Sequence, residues 1–171
     1  SSSSSVASSA SSAGNATIFK VGDTVEAELF NPNASSNVVK IFEATAGPET
    51  YLGGFDLGAS ICLDNIDLTG VKSIDMTIAR NGSDIVESED VRGNGRFAIM
   101  AGGGDYLKNT ILAEKITTTT NGWENFETVN VGLDKPMNGV TQLCFLGLDS
   151  FGIFNLDKFT LSEAAGTNDS L

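Results

Sequence analysis

Acid–base chemistry in this sequence falls to carboxylates, because its 171 residues include 22 Asp and Glu and no histidine. The missing imidazole removes the commonest general base near neutral pH. It also excludes Ser-His-Asp and Cys-His catalysis and histidine zinc sites. Two carboxylates flanking a sugar, as in glycoside hydrolysis, stay open, although abundance alone picks out no pair. The single tryptophan falls in Thr120-Asn121-Gly122-Trp123-Glu124, beside an Asn-Gly turn signal. An aromatic face in a loop suits the apolar C–H face of a pyranose, and packing within the loop is the alternative role. Cys62 and Cys144 lie in apolar, strand-like segments without metal spacing. They are either two buried thiols or one disulfide between distant strands. Gly93-x-Gly95 and Gly102–Gly104 lack the lysine and following helix of a phosphate loop and read as hairpin turns.

The elements that would position these groups are strands. Period-2 patterns recur at Thr17–Lys20, Thr24–Phe30, Val38–Ala44, Ser60–Asp67, Ser73–Ala79, Arg96–Ala101, Ile111–Thr118, Asn125–Val131, Thr141–Leu148 and Phe154–Ser162. Turn signals separate them, such as Asn31-Pro32-Asn33, Asn81-Gly82 and Asn138-Gly139. No segment carries a long 3.6-residue apolar stripe. The expected fold is all-β, an antiparallel β-sandwich of jelly-roll type, with a closed barrel as the alternative.

Residues 1–16 are serine-rich and read as a flexible linker, residues 17–163 as one module, and residues 164–171 as a flexible tail. A linker at this place suggests a piece of a larger modular protein. The formal net charge of −12 argues against nucleic acid and against an anionic membrane surface. No apolar run approaches the ~18 residues of a membrane span.

Four segments, in order, resemble one known family. Val25-Glu26-Ala27-Glu28 matches its opening Ile-Glu-Ala-Glu. Gly54-Phe55-Asp56-Leu57-Gly58-Ala59-Ser60-Ile61-Cys62-Leu63-Asp64-Asn65-Ile66-Asp67-Leu68 is similar to its glycine–aromatic strand entry followed by its Asn-Val-Asp-Leu stretch. Asn121-Gly122-Trp123-Glu124-Asn125-Phe126-Glu127-Thr128-Val129 resembles its Gly-Gly-Trp signature, and Phe154-Asn155-Leu156-Asp157-Lys158-Phe159 its terminal strand. The family is the family 6 carbohydrate-binding module, and the likeness runs from about residue 23 to 162.

The resemblance implies a non-catalytic module that targets a covalently linked polysaccharide-degrading enzyme to its substrate. Phe55 and Trp123 would clamp a sugar and Asn155 would hydrogen-bond it, with Glu43 and Phe151 as further ligand contacts. It also implies a structural calcium ion held by Glu26, Glu28 and Asp157. Glu26 and Glu28, two residues apart, would share one strand face, and a hard divalent cation would relieve their repulsion. Departures from the family pattern are Phe55, where members usually carry tyrosine, and Lys158, where many carry an aromatic. The module is expected to be secreted and monomeric, with β-1,3-glucan or agar-type galactan chain ends as ligand. The alternative is a β-sandwich hydrolase or lyase whose cleft would offer Glu43 and Glu124 as its carboxylate pair.

Overall fold

Among the described residues ten strands form two antiparallel sheets packed face to face. The structure is a computed structural model, and it describes residues 17–35, 39–45, 50–80, 96–116, 120, 122–148 and 153–165. The strands are β1 (Thr24–Glu26), β2 (Lys40–Glu43), β3 (Thr50–Gly53), β4 (Ser60–Asp67), β5 (Ser73–Arg80), β6 (Arg96–Ala101), β7 (Thr110–Ile116), β8 (Gly122–Gly132), β9 (Val140–Gly147) and β10 (Asn155–Ser162). The larger sheet runs β2-β3-β10-β5-β8, with β1 also on β10, and the smaller runs β4-β9-β6-β7. The two separate sheets make this a sandwich and dispose of the closed barrel. Residues 1–16 and 166–171, which carry most of the linker and tail readings, lie outside the described residues.

Alternation places the core. Ile74, Met76 and Ile78 of β5, Ile61 and Leu63 of β4, and Phe97 and Ile99 of β6 turn inward, where they meet Phe145, Phe154, Phe159 and Leu161. The residues between them along each strand face the opposite way, as a two-residue period requires. A smaller apolar cluster covers the outer face of the smaller sheet. There Cys62, Cys144, Ala98, Met100 and Leu146 pack under Ala34. Cys62 and Cys144 stand directly opposite one another on β4 and β9 and form a disulfide, with Cα atoms 4.1 Å apart. This resolves the choice between two thiols and one bond.

Two irregularities matter for function. β1 and β3 share the same edge of β10, β1 against Lys158–Thr160 and β3 at Leu156. Between them the chain leaves β10 through a 3-10 turn at Ala27–Leu29. The segment expected as one strand over Thr24–Phe30 is therefore a three-residue strand followed by that turn. Val25 and Ala27 still point inward, so Glu26 and Glu28 remain on the other side. Opposite this junction β10 carries a bulge between Leu156 and Lys158, so Leu156 and Phe159 both reach the core while Asp157 is the extra residue.

Strand β3 has no counterpart among the expected strands. Its four residues are too short to show a period, and its pairing with β2 and β10 supplies the order that its own sequence lacks. The expected strand at Thr17–Lys20 reduces to one parallel bridge, Phe19 to Ile66.

Candidate functional site

The outer face of the larger sheet carries rings at one end. Phe42 of β2 pairs with Tyr51 of β3 in register, and their rings stack with centroids 5.8 Å apart and planes 24° apart. Tyr51 in turn meets Phe126 of β8, centroids 5.4 Å apart. Phe42 is 44 % exposed, a large apolar ring left open to solvent.

Glycine 53 explains how the Phe42 ring lies. A Cβ built on Gly53 would sit 2.7 and 2.8 Å from two Phe42 ring carbons and 3.1 Å from Asn155 Oδ1. The ring therefore packs against bare backbone, with the Asn155 amide near by. Any side chain at position 53 would have to push the ring away. Asn155 opens β10 opposite Ala79 and is 9 % exposed.

Beside the rings sits a held carboxylate. Glu124 Oε1 accepts from the Thr45 backbone N–H at 2.9 Å and from its hydroxyl at 2.6 Å. Glu124 Oε2 accepts from the Tyr51 phenol at 3.1 Å. Burial, and after it the Glu124 carboxylate, pushes the Tyr51 phenol above the ordinary tyrosine range. A general acid must offer a proton to the leaving oxygen. Glu124 instead receives three protein donors, which suits a scaffold and not the acid of a hydrolase.

The structure distributes the sequence candidates unevenly. Phe55 is corrected: it is 1 % exposed, and its ring stacks on Phe154 at 4.7 Å, which packs edge-on against Phe97 at 5.1 Å. It is a core residue and offers no face to a ligand. Its neighbour Gly54, at φ 82°, carries no side chain to take the open position. Trp123 lies not in a turn but as the second residue of β8, one residue after Gly122, which pairs with Arg80. For Trp123 the structure describes the backbone. Asn155 stands beside Phe42, as above. Glu43 follows Phe42 in β2 but pairs with Thr50, so the pleat gives it the face opposite to Phe42 and Tyr51. Phe151 lies outside the described residues.

Phe42 was missed by sequence reading. The signal was available: Ile41 and Phe42 stand side by side on a strand whose four residues are all exposed. Alternation can bury only one of two adjacent residues.

The acidic trio meets at the junction of β1, β3 and β10. Asp157 is 7 % exposed. Its carboxyl is raised by burial and by the charges of Glu26 and Glu28, against a lowering from Lys158. Glu28 also accepts a hydrogen bond from the Thr50 hydroxyl. Among the described residues no three acidic or cysteine side chains close into a ready-made cage. The three suit a divalent cation in charge and in hard oxygen donors.

Compared with known proteins, the chain matches no protein-family model and no curated protein sequence. Its fold matches solved structures. A family 6 carbohydrate-binding module from Clostridium cellulolyticum, crystallised with xylose, superposes with a TM-score of 0.67 at 18% identity, covering 84% of this chain and 99% of that one. A β-1,3-glucan-binding module of the same family from Bacillus halodurans gives a TM-score of 0.63 at 16% identity, over 85% of this chain and 99% of that one. A family 43 arabinoxylan arabinofuranohydrolase from Bacillus subtilis, in complex with cellotetraose, gives a TM-score of 0.64 at 17% identity, over 87% of this chain and 28% of that one. The fold is thus the β-sandwich of the family 6 carbohydrate-binding modules, and the similarity spans nearly the whole of such a module.

Proposed function

We propose that this chain is a non-catalytic carbohydrate-binding module that holds a linked polysaccharide-degrading enzyme on its substrate. The observation that carries the reading is the open Phe42 ring, packed close over Gly53 with the Asn155 amide near by. A pyranose places its C–H face on such a ring and its hydroxyls on an amide that both donates and accepts. Trp123 keeps in this reading the clamp role that the family resemblance gives it. Phe42 takes the part first assigned to Phe55. Glu43, on the opposite face of β2, is not among the ligand contacts in this reading, and Phe151 stays a further aromatic contact to test.

Affinity for one chain should be modest, about 10 μM to 1 mM, because few rings engage and hydroxyls must be desolvated. Tethering then works by raising the local concentration of the linked enzyme. β-1,3-Glucan or agar-type galactan chain ends are the ligands to try first. The module is monomeric and extracellular in this reading, and the Cys62–Cys144 bond supports an oxidising compartment. Affinity gels containing β-1,3-glucan, agar, xylan or cellulose test the proposal. Retardation in at least one gel, lost in Trp123→Ala with the melt unchanged, is the expected result. Equal migration in all four, or release of reducing ends by the isolated chain, would sink it.

Glu26, Glu28 and Asp157 hold Ca2+ in the same reading; burial first, and then the charges of Glu26 and Glu28, raise the Asp157 carboxyl, which a cation would relieve. The ion would tie β1 and the 3-10 turn to β10, away from the rings. Stabilisation follows from binding to the folded state alone, about 2.7 kcal/mol at a hundredfold excess over Kd. Adding EDTA should therefore lower the Tm by several degrees, and Ca2+ should restore it. A melt indifferent to both would show that the trio binds no metal.

A further inference from the structure

We propose that Glu124 is a positioning residue, a latch that draws the two sides of the larger sheet together and so shapes the sugar site. The inference rests on the carbohydrate reading above and deepens it.

Strand order sets Tyr51 and Glu124 far apart. Tyr51 lies on β3 and Glu124 on β8, and two strands, β10 and β5, run between them. Neighbouring strands lie ~4.8 Å apart, so side chains three strands apart on a flat sheet would be about 14 Å distant. Here the Tyr51 hydroxyl reaches Glu124 Oε2 at 3.1 Å, and the Tyr51 and Phe126 rings touch. The long Tyr51, Glu124 and Phe126 side chains meet across that gap. What lies beneath is small: Ala79 on β5 and Asn155 on β10 occupy the intervening strands side by side.

Glu124 gathers from a third place as well. Thr45, just past the end of β2, donates both its N–H and its hydroxyl to Oε1. One carboxylate thus fixes the end of β2, the phenol of β3 and its own strand β8. The Phe42 ring stacks on the Tyr51 ring that the latch holds, so the stacking face inherits its position from Glu124. Glu124 also directly follows Trp123, so the same anchor sets the backbone that carries the second aromatic. Hydrogen bonds to a charged acceptor are the strong ones, which makes three of them on one carboxylate a rigid joint. Binding then proceeds without first ordering the β2–β3 side, and that entropy is saved.

The test separates a latch from a direct ligand contact. The chain has two tyrosines, so in a Tyr106→Phe background the phenolate absorbance of Tyr51 titrates alone. Glu124→Ala should move the Tyr51 midpoint down toward that of a free phenol. It should also weaken binding to the polysaccharide retained in the affinity gels about tenfold. Glu124→Gln, whose amide oxygen still accepts from Thr45, should recover most of that loss. Thr45→Val, which removes one donor and keeps the carboxylate, should weaken binding a few-fold with a cooperative melt, and it serves if Glu124→Ala fails to fold. An unmoved Tyr51 midpoint, or unchanged affinity in Glu124→Ala and Thr45→Val, overturns the latch. If Phe42→Ala binds as well as the parent, the sugar reading itself fails, while the Tyr51 titration still decides whether the latch exists.

Discussion

Phe42→Ala is expected to weaken polysaccharide binding about thirtyfold and leave the fold nearly intact, whereas Phe55→Ala is expected to damage the fold and not the ligand surface. The contrast comes from burial. Phe42 is 44 % exposed and Phe55 1 %. Removing a ring that covers one sugar face forfeits about 2 kcal/mol of apolar burial in the complex. The isolated fold loses only the stack on Tyr51 and the cover over Gly53, about 1 kcal/mol. At position 55 the ring packs between the sheets against Phe154, and truncation leaves a cavity that neighbours on rigid strands cannot fill. Such losses run to about 3–5 kcal/mol, or roughly 10 °C in Tm for a domain of this size. Thermal melts and affinity gels on the two variants check both halves. If Phe55→Ala abolished retardation while keeping the parental Tm, the reassignment from Phe55 to Phe42 would be wrong.

That reassignment shows where a strand sequence stops being informative. The expected spans Ser60–Asp67 and Arg96–Ala101 match β4 and β6 residue for residue, because each is a short apolar run bounded by glycine-containing turns. The sandwich followed from such segments and from turn chemistry between them. The face each side chain takes depends on register, and register is fixed by partners far away in sequence. Phe55 follows two glycines, so nothing local says whether its ring turns in or out. Its direction is decided by Phe154 and Phe97, 99 and 42 residues away. Likewise β3 draws its order from β2 and β10, and the resting place of Phe42 exists only because Gly53 arrives beneath it from the next strand. The bulge in β10 was hidden in Leu156 and Phe159, two inward residues three apart on one strand.

Removing the disulfide, by Cys62→Ala with Cys144→Ala, is expected to destabilise the protein by about 4 kcal/mol and leave its ligand affinity unchanged below the melt. In the chain-entropy description the cost grows with the loop closed, and here the cysteines are 82 residues apart. That loop takes in β5 to β8, so the bond restrains much of the unfolded chain. Its place in the fold adds to this. Neither end of the Cys62 backbone bonds to Cys144: its N–H donates to the Ser35 hydroxyl, and its carbonyl accepts from Asn31 N–H. β4 is an edge strand, and the segment from Asn31 to Ser35 lies along it, so loosening β4 from β9 would also release that cover from the outer apolar cluster. Both sulfurs belong to fully buried residues, so reductant reaches them only when the edge opens. The protein should therefore resist mild reductant while folded and lose the bond on heating, giving a Tm that falls by roughly 10 °C only when reductant is present through the scan. The rings and Asn155 stand on the opposite sheet, which predicts that the double alanine variant, held below its lower Tm, is retarded in affinity gels as strongly as the parent. Weakened retardation in that variant at a temperature where its melt shows a folded protein would mean that the smaller sheet sets the geometry of the sugar site across the core.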